Sequence, residues 1–457
     1  MKETKQIKIA FIGGGSQNWA PTIIRDIIFK KGMEKVGIEF ALLDIDKGRV
    51  EAISRLFEIK LAEWKVDWVK VSPTTDSRKA LSGADYVIIA ISTGRLPAMK
   101  HDLEIPEKYG IYHTVGDTAG PGGWARSLRN IPVFSAYAKQ IKELAPDAFV
   151  LNYTNPMGTL TKVLADEVGE SKVVGLCHGL FECYDILKIV FDLKSEEDIK
   201  FRFGGLNHFF WLLDISIKGK DGYALIKDRL QGRNFAELVK ESHVDAMGWS
   251  SEKWFTGELF ENYGYLPYFG DRHTCEFFNC TMTNKDIMER FKLVRTSIAE
   301  REAMYVDAEK RITSWTQGKK ADWGHLTKKP SRETAADIIK ALVFGEGFTD
   351  VMNLVNKGQI ENLPKGAVVE TMGYVDGRNF VPLTVGLLPE QLKVLSLPHA
   401  EVQIRTVEAG LSGNLDSALM ALLADPICAH LSASDVKKMG MELLNANKKY
   451  LPQFFKD

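Results

Sequence analysis

The sequence predicts an α/β protein: a Rossmann-type, doubly wound parallel sheet with a second, α+β lobe attached to it. Along the first 195 residues, short apolar runs alternate with amphipathic helical stretches, and each apolar run ends in a polar or glycine-rich turn. Such alternation is typical of parallel strands joined by helices. The chain has 457 residues, more than one hydrophobic core usually holds. We therefore expect two domains, residues 1–195 and 196–457.

The predicted elements follow in chain order. Apolar runs predict strands at residues 7–12, 38–43, 86–91, 149–151 and 173–176. Helical spacing predicts helices at about 20–31 and at 47–64. After about residue 195 the pattern changes to charged helical stretches, 284–310 and 332–343, mixed with short strands such as 367–371. No linker separates the halves, so we expect the second domain to pack on the first with the active site between them.

Composition narrows the class of partner. Lys and Arg total 59 against 60 for Asp and Glu, which gives no electrostatic footprint for nucleic acid and no polybasic run for a membrane surface. No apolar run approaches the roughly 18 residues that a membrane span needs. The five cysteines are few and odd in number, which favours a reducing compartment over a disulfide framework. A cytoplasmic enzyme acting on small molecules is expected.

The turn after the first strand predicts a dinucleotide site. Gly13 and Gly15 occupy the first two glycine positions of the Rossmann fingerprint and Ser16 follows, although the third glycine position holds Asn18. Backbone N–H groups of such a turn approach a pyrophosphate at a helix N-terminus. Asp44 ends the second strand, where an acid bonds the ribose hydroxyls and repels a 2′-phosphate, favouring NAD over NADP. The alternatives are a tight turn without a ligand, and Asp44 as a cap of the next helix.

A cysteine and a histidine are candidate metal ligands. Cys177 follows a predicted strand at its carboxyl end, where open α/β sheets bind their ligands. His208 lies beside Asn207 in an otherwise apolar run. A thiolate and an imidazole together hold a divalent transition ion and leave positions open for substrate oxygens. The alternative is that Cys177 is a small buried hydrophobic residue and His208 a hydrogen-bonded core histidine.

Ordered motifs along nearly the whole chain carry a family resemblance. They lie at residues 12–16, 95–110, 120–123, 128–132, 155–157, 205–208, 367–370 and 382–389. With these motifs the chain resembles glycoside hydrolase family 4, the NAD- and Mn²⁺-dependent glycosidases related in fold to lactate and malate dehydrogenases. The resemblance implies that Cys177 and His208 are the manganese ligands.

The residue after the metal cysteine suggests the substrate class. His178 follows Cys177, and no proline stands two positions after His178. This Cys-His-Gly motif resembles the subgroup that acts on α-linked hexuronic acids, α-galacturonides or α-glucuronides, and differs from the phospho-glycosidase members. The resemblance implies a redox-assisted elimination: hydride leaves sugar C3 for NAD⁺, a base removes the C2 proton, the C1 bond breaks, water adds and the hydride returns.

The resemblance also directs the search for acid and base. The general base is sought in the second lobe, where Tyr265 is the first candidate and Asp271 the second. A tyrosine has a reference pKa of about 10 and needs a neighbouring cation to act as a base near neutrality. His178 is the candidate acid for the departing oxygen. The alternatives are tyrosines that only pack, and a His178 that only donates a hydrogen bond to substrate.

Four further residues are expected to contact the sugar or the cofactor. Asn155 ends a strand and is assigned to the sugar or the cofactor ribose. Asp102 and Arg95 are assigned to substrate hydroxyls or the carboxylate, with Arg272 as the other candidate. An arginine holds a carboxylate through two parallel hydrogen bonds, which suits a uronate. Each of these charged residues has the alternative of a structural ion pair.

Three other functions are compatible with parts of the pattern. A net dehydrogenase would need no metal and would use a His–Asp proton relay, for which the sequence offers no convincing counterpart. A non-catalytic NAD- or sugar-binding regulator would bind dinucleotide without turnover. Within the family, an α-glucosidase or α-galactosidase would act on neutral sugars. The resemblance further implies a homodimer or homotetramer.

Overall fold

Thirteen strands form one continuous sheet in the computed structural model, which describes residues 5–242, 252–317, 326 and 328–455. The strands are β1 (Gln6–Ile12), β2 (Gly37–Leu43), β3 (Val69–Thr74), β4 (Tyr86–Ile89), β5 (Phe149–Asn152), β6 (Val173–Gly175), β7 (Ile199–Leu206), β8 (Phe209–Ile217), β9 (Lys220–Asp221), β10 (Leu266–Pro267), β11 (Phe348–Val355), β12 (Val368–Val375) and β13 (Phe380–Pro382). Their order is β10-β8-β7-β12-β11-β6-β5-β4-β1-β2-β3, with β13 paired to β12 and β9 to β8.

The first half of the sheet is parallel. From β3 through β2, β1, β4 and β5 to β6, every neighbouring pair runs in the same direction. This 3-2-1-4-5-6 order is that of the dinucleotide-binding Rossmann fold. Ile12, Ile89 and Asn152 stand in one row across the sheet, so the turns that follow β1, β4 and β5 meet at one edge. The predicted fold class is confirmed.

Helices cover both faces of the parallel half. They are α1 (Trp19–Ile28), α2 (Lys47–Trp64), α3 (Ser77–Leu81), α4 (Arg95–Glu107), α5 (Gly120–Leu144), α6 (Met157–Val168) and α7 (Gly179–Val190). One buried apolar cluster joins the strands to α1 and α2, and a second joins them to α3, α5 and α6 on the opposite face. Because the strands are buried on both faces, they read as continuous apolar runs in the sequence.

The second half extends the same sheet with antiparallel strands. β11 pairs with β6, and β12, β7, β8 and β10 continue outward, each antiparallel to its neighbour. The helices of this half are α8 (Gly222–Leu230), α9 (Phe235–Glu241), α10 (Trp254–Tyr263), α11 (Asp271–Thr274), α12 (Asn279–Thr283), α13 (Lys285–Arg290), α14 (Ile298–Thr316), α15 (Ala335–Phe344), α16 (Glu390–Ser412), α17 (Leu415–Leu423) and α18 (Ala433–Ala446).

The two halves also share a core. Helices α16, α17 and α18 contribute to the same apolar cluster as α5 and α6 of the parallel half, through residues such as Val407, Leu422 and Leu443. The division at residue 195 stays a prediction. Among the described residues, no helix is both long enough and apolar enough to cross a membrane.

One predicted helix is broken. The sequence pattern suggested a single helix over residues 284–310, but α13 ends at Arg290 and α14 begins at Ile298. Lys292 adopts a left-handed backbone conformation with φ of 53°. Ser297 then starts α14: its hydroxyl accepts from the Glu300 N–H, and the Glu300 carboxylate accepts from the Ser297 N–H. This reciprocal capping box is a start signal that overrides the helical spacing.

Candidate active site

The glycine turn after β1 has the geometry of a dinucleotide loop. Gly13 has φ of 91°, and a Cβ there would stand 2.2 Å from the carbonyl oxygen of Ala90. A Cβ on Gly15 would stand 2.8 Å from a carboxylate oxygen of Asp44. Position 13 therefore requires glycine, and a side chain at position 15 would push Asp44 aside, so the backbone lies open to a close-approaching group. The Ser16 hydroxyl accepts from the N–H of Trp19, at the start of α1.

Asp44 faces this turn. Its carboxylate accepts from the N–H of Gly15 at 3.0 Å and from the N–H of Asp46 at 2.9 Å. Asp46, and not Asp44, caps α2, because its side chain accepts from the N–H of Arg49. The helix-cap alternative for Asp44 is therefore not what the structure shows. A half-buried carboxylate beside the glycine turn is where a ribose would be bound.

Cys177 and His208 come together at the end of the parallel half. The Sγ of Cys177 lies 3.4 Å from Nε2 of His208. Two such atoms that share one divalent ion stand about 3.5 Å apart, given bond lengths of about 2.0–2.3 Å. His208 lies in the short turn between β7 and β8 and has φ of 63°, a conformation that non-glycine residues adopt rarely and often at functional sites.

Hydrogen bonds fix which nitrogen of His208 is free for a metal. The Thr118 hydroxyl donates to the Asp117 carboxylate at 2.9 Å, and that carboxylate only accepts. The Thr118 oxygen is therefore left to accept from Nδ1 of His208, 3.0 Å away. Nδ1 then carries the hydrogen, and the lone pair of Nε2 points toward Cys177. This is the arrangement by which outer hydrogen bonds orient a metal-binding histidine.

A third and a fourth group approach His208. Ligand atoms of Asp117, His208 and His273 lie within 4.8 Å of one another, and the rings of the two histidines are 4.1 Å apart. Asn155 donates to Asp117 over 3.5 Å. Among the described residues, Nδ1 of His273 and Oδ1 of Asn155 are buried without a hydrogen-bond partner. Buried polar atoms without partners mark a place for a bound group. The donors fit a divalent transition ion and an oxygen-rich ligand.

A buried carboxyl group lies behind the cysteine. Glu370 accepts from the side-chain amide of Asn207 at 2.6 Å, and burial raises the pKa of Glu370 to about 7. Burial also raises the pKa of the Cys177 thiol, and the Glu370 charge adds to this effect. The thiol therefore keeps its proton until a cation takes its place.

His178 faces solvent beside an acid. Its Nδ1 is 3.4 Å from Glu333, and the side chain is 48% exposed. The hydrogen bond to Glu333 raises the pKa of His178, and this effect outweighs the partial burial that lowers it. An imidazolium held by a carboxylate at an open position is suited to give a proton to a departing oxygen.

The site is rich in guanidinium groups. Burial raises the pKa of Asp117, but the nearby His273, Arg126 and His208 outweigh it and hold the pKa at about 2. Arg301 lies close enough to Asp117 and Arg272 for their charges to act on it. Among the described residues, no carboxylate oxygen lies within 4.0 Å of Arg126, Arg272 or Arg301, as the ion pairs show. Asp117 is thus one negative charge among several positive ones.

The two candidate bases do not reach this cluster. Asp271 is fully buried, and its oxygens accept from the N–H groups of Phe255 and Thr256, both at 3.0 Å, at the first turn of α10. Tyr265 lies on the outer side of β10, where it lines an open groove of 680 Å³ and packs edge-on against Tyr223. Capping and surface packing decide where these side chains lie, and both catalytic assignments stay predictions.

Two predicted substrate residues lie elsewhere as well. Asp102 is fully buried and accepts two hydrogen bonds from Arg129, at 2.7 and 2.6 Å, so it is the structural ion pair that was the alternative. The guanidinium of Arg95 faces Asp46 at 3.6 Å, on the side of the cofactor acid. Arg272 does lie beside His273; its Nη2 donates to Thr296, and its Nε is buried without a partner among the described residues.

Several site residues were missed from sequence. Asp117 and Thr118 stand directly before the glycine-rich start of α5, and His273 follows Arg272 in a segment that had been searched for a base. Arg126 lies on the second turn of α5 and Arg301 on the first turn of α14. The only available signal was their place at helix starts near known motifs, which many residues share.

Fold and site together define an α/β protein of the Rossmann class with a cysteine and a histidine paired at the strand ends. The chain belongs to glycosyl hydrolase family 4: the sequence profile of the family 4 glycosyl hydrolases matches residues 8–193, and that of their C-terminal domain matches residues 203–428. The resemblance read from the motifs is confirmed.

Individual relatives are similar over nearly their whole length. An α-galacturonidase of Bacillus subtilis is 34% identical over 96% of this chain and 97% of its own, and an α-galactosidase of the same organism is 34% identical over 98% and 99%. A solved Bacillus subtilis structure, provisionally named a glucosidase, has a TM-score of 0.83 at 29% identity, covering 96% of this chain and all of its own.

Two more distant structures share the fold. A 6-phospho-β-glucosidase of Thermotoga maritima, solved with manganese, NAD⁺ and glucose-6-phosphate, has a TM-score of 0.76 at 24% identity, covering 97% and 99% of the two chains. A malate dehydrogenase of Plasmodium falciparum has a TM-score of 0.51 at 12% identity, covering 89% and 98%. The expected similarity in fold to malate dehydrogenases is confirmed.

Proposed function

We propose that this protein hydrolyses α-linked hexuronides, α-galacturonides or α-glucuronides, with NAD and Mn²⁺. The observation that carries the substrate class is the guanidinium set of Arg126, Arg272 and Arg301. The charges of Arg126 and Arg301 act on Asp117, and among the described residues none of the three arginines has a carboxylate oxygen within ion-pair distance. An excess of positive charge in a partly buried site is costly unless an anion joins it. The uronate carboxylate supplies that anion. The α-galacturonidase relative supports the same choice.

Each cofactor has residues that would hold it. The turn from Gly13 to Gly15 and the Asp44 carboxylate would bind NAD, and Cys177 with Nε2 of His208 would bind the ion. The 6-phospho-β-glucosidase structure contains both groups, which supports the assignment. When bound, NAD⁺ accepts hydride and Mn²⁺ stabilises negative charge on sugar oxygens.

The chain's own residues then handle the protons. His273, whose Nδ1 is buried without a partner among the described residues, takes the C2 proton, a role for which it is better placed than Tyr265 or Asp271. His178, held by Glu333, gives a proton to the departing oxygen. Asn155 orients a sugar hydroxyl through its unpartnered Oδ1. Arg272 and Arg301 bind the carboxylate.

A substrate panel tests the proposal. Aryl α-galacturonide, α-glucuronide, α-galactoside and α-glucoside are compared in the presence of NAD⁺ and Mn²⁺. Uronides are expected to turn over faster, and product formed in D₂O is expected to carry deuterium at C2. Faster turnover of the neutral sugars would contradict the uronide assignment, and absence of label would contradict the elimination. Steady accumulation of absorbance at 340 nm would indicate a net dehydrogenase instead.

One variant pair sharpens the panel. Arg301→Ala is expected to raise KM for the uronide by about 10- to 100-fold, the effect of losing a charge-assisted hydrogen bond worth about 1.5–3 kcal/mol, with little change for a neutral glycoside. Arg405→Ala removes an exposed guanidinium that pairs with Glu408 on α16 and serves as the matched control. Equal effects of Arg301→Ala on both sugars would show that Arg301 does not read the carboxylate.

The second candidate is a neutral α-galactosidase, which the Bacillus subtilis α-galactosidase favours at the same identity. The panel separates the two directly. A homodimer or homotetramer and a cytoplasmic location stay predictions; size-exclusion chromatography with light scattering tests the first, and cell fractionation the second.

A further inference from the structure

A fully buried glutamate next to the site has no part in the chemistry above. Glu276 lies three residues after His273, in the short helical segment that follows α11. One of its oxygens, Oε1, accepts from the N–H of Val115 at 2.7 Å and from the N–H of Gly116 at 2.8 Å. These two residues immediately precede Asp117. Glu276 thus joins the Asp117 loop to the His273 segment.

His113 extends this connection to a third element. The N–H of Gly122, in the first turn of α5, donates to Nε2 of His113 at 3.1 Å. The hydrogen of the ring is therefore on Nδ1, which donates to Oε1 of Glu276 at 3.2 Å. His113 and Glu276 are both 0% exposed. A single carboxylate oxygen thus holds the loop at residues 113–116 and, through His113, the start of α5.

Close packing leaves this arrangement little freedom. A Cβ on Gly122 would stand 3.1 Å from Nε2 of His113, and a Cβ on Gly116 would stand 2.6 Å from the side chain of Leu103. The Thr114 hydroxyl adds a second link, because it donates to the carbonyl oxygen of Arg272. Hydrogen bonds and packing therefore hold residues 113–116, the four residues that precede Asp117 and Thr118.

We propose that Glu276 is a positioning residue for the metal centre: by holding residues 113–116 it sets Thr118 and Asp117 so that Nδ1 of His208 donates to Thr118 and Nε2 points at Cys177. The inference rests on the proposed manganese site. Glu276 touches neither Cys177 nor His208, so its effect passes through the loop. Groups that orient metal-binding histidines in this way commonly change metal affinity by about 10- to 100-fold when removed.

The test measures Mn²⁺ binding to the protein without NAD or substrate, by electron paramagnetic resonance of the free ion. Glu276→Gln keeps the volume and one accepting oxygen but removes the charge. It is expected to raise the Kd for Mn²⁺ by about 10-fold or more. Asp350→Asn is the matched control, since Asp350 is a partly buried carboxyl on β11 that accepts from the N–H of Val351. The Kd of this variant for Mn²⁺ is expected to stay within about twofold of the wild-type value.

A second variant and a double variant test whether Glu276 acts on His208 through the loop and Thr118. Thr114→Val removes the hydroxyl that links the loop to Arg272 and that also lies 3.2 Å from Oε1 of Glu276, while the carboxylate and its backbone N–H bonds are kept. This variant is expected to raise the Kd for Mn²⁺ severalfold even where Glu276→Gln proves unstable. Thr118→Val removes the bond to His208. If Glu276 acts through Thr118, adding Glu276→Gln to Thr118→Val weakens binding by much less than it does in the wild type, since coupled sites are not additive.

Several outcomes would overturn the inference. One is a Glu276→Gln variant with a lower unfolding midpoint but an unchanged Kd for Mn²⁺, which is what a purely structural role predicts. Another is full additivity with Thr118→Val. Absence of Mn²⁺ binding to the wild type would overturn the proposed function as well, whereas normal wild-type binding that is insensitive to Glu276→Gln and Thr114→Val would overturn the positioning role alone.

Discussion

Replacing Asp102 by alanine separates a structural role from a substrate role. Asp102 and Arg129 are both fully buried, and two hydrogen bonds of 2.7 and 2.6 Å join them in parallel. The guanidinium also donates to the carbonyl oxygen of Thr93 through Nε at 3.0 Å. In Asp102→Ala the cation keeps this one bond and loses its counter-charge. Breaking a buried pair from one side costs about 3–5 kcal/mol, because it leaves a charge buried without compensation.

The assay is urea unfolding followed by far-UV circular dichroism, together with KM for an aryl galacturonide. We expect the free energy of unfolding to fall by about 3–5 kcal/mol in Asp102→Ala. Glu143→Ala is the control: Glu143 pairs with Arg78 at 2.6 Å, but both side chains are 58% exposed, and such surface pairs contribute about 0–1 kcal/mol. Asp102→Ala combined with Arg129→Met removes both charges and is expected to cost less than Asp102→Ala alone.

One result would refute this reasoning. If Asp102→Ala unfolds at the wild-type urea concentration but raises KM for the uronide, the carboxylate contacts the substrate as the sequence suggested. The structure would then differ from the working enzyme at α4.

Three further predictions concern the metal, the cofactor and pH. Cys177→Ser is expected to lose measurable Mn²⁺ binding, because a hydroxyl is a poor substitute for a thiolate; Mn²⁺-stimulated turnover at the wild-type level would remove Cys177 from the site. Asp44→Ala is expected to raise KM for NAD and narrow its advantage over NADP, and steady-state kinetics with both cofactors measures the ratio; an unchanged ratio would contradict the ribose assignment. Burial raises the pKa of Asp350 from 3.8 to about 6, so the folded state binds the extra proton between these values. The free energy of unfolding of the wild type, relative to that of Asp350→Asn, therefore falls by at most about 3 kcal/mol as pH rises from about 4 to 6 and is constant above pH 6. Parallel pH profiles of the two proteins in unfolding titrations would contradict this effect of Asp350.

The parallel half of the fold was predictable because its signals are local. Helix α2 was expected at residues 47–64 and occupies Lys47–Trp64, since the capping acid Asp46 directly precedes the segment and an apolar stripe lies within it. The glycine turn and Asp44 were predictable for the same reason: a strand, a turn and a strand end bring them together over about 30 residues. Cys177 followed from the rule that ligands bind at the carboxyl ends of parallel strands.

Predictions that relied on a residue type without its long-range neighbours did not anticipate where the side chains lie. Asp271 was a candidate base, yet it lies 15 and 16 residues from the N–H groups that it accepts from. Tyr265 was separated from the site by the pairing of β10 with the outer strand β8. Asp102 was paired with Arg129, 27 residues away, on the next helix. In each case a hydrogen bond or a strand pairing formed across the chain decided the role.

The sequence by itself determined the class of fold, the glycine turn, and the cysteine and histidine of the proposed metal centre, because each is encoded by a short pattern with its own physical meaning. Only the tertiary structure decided which groups surround them. Thr118 and His208 are 90 residues apart, and His113 and Glu276 are 163 apart. Contacts over such separations depend on how the antiparallel strands extend the sheet and fold the second half over its edge, and no local pattern encodes that packing.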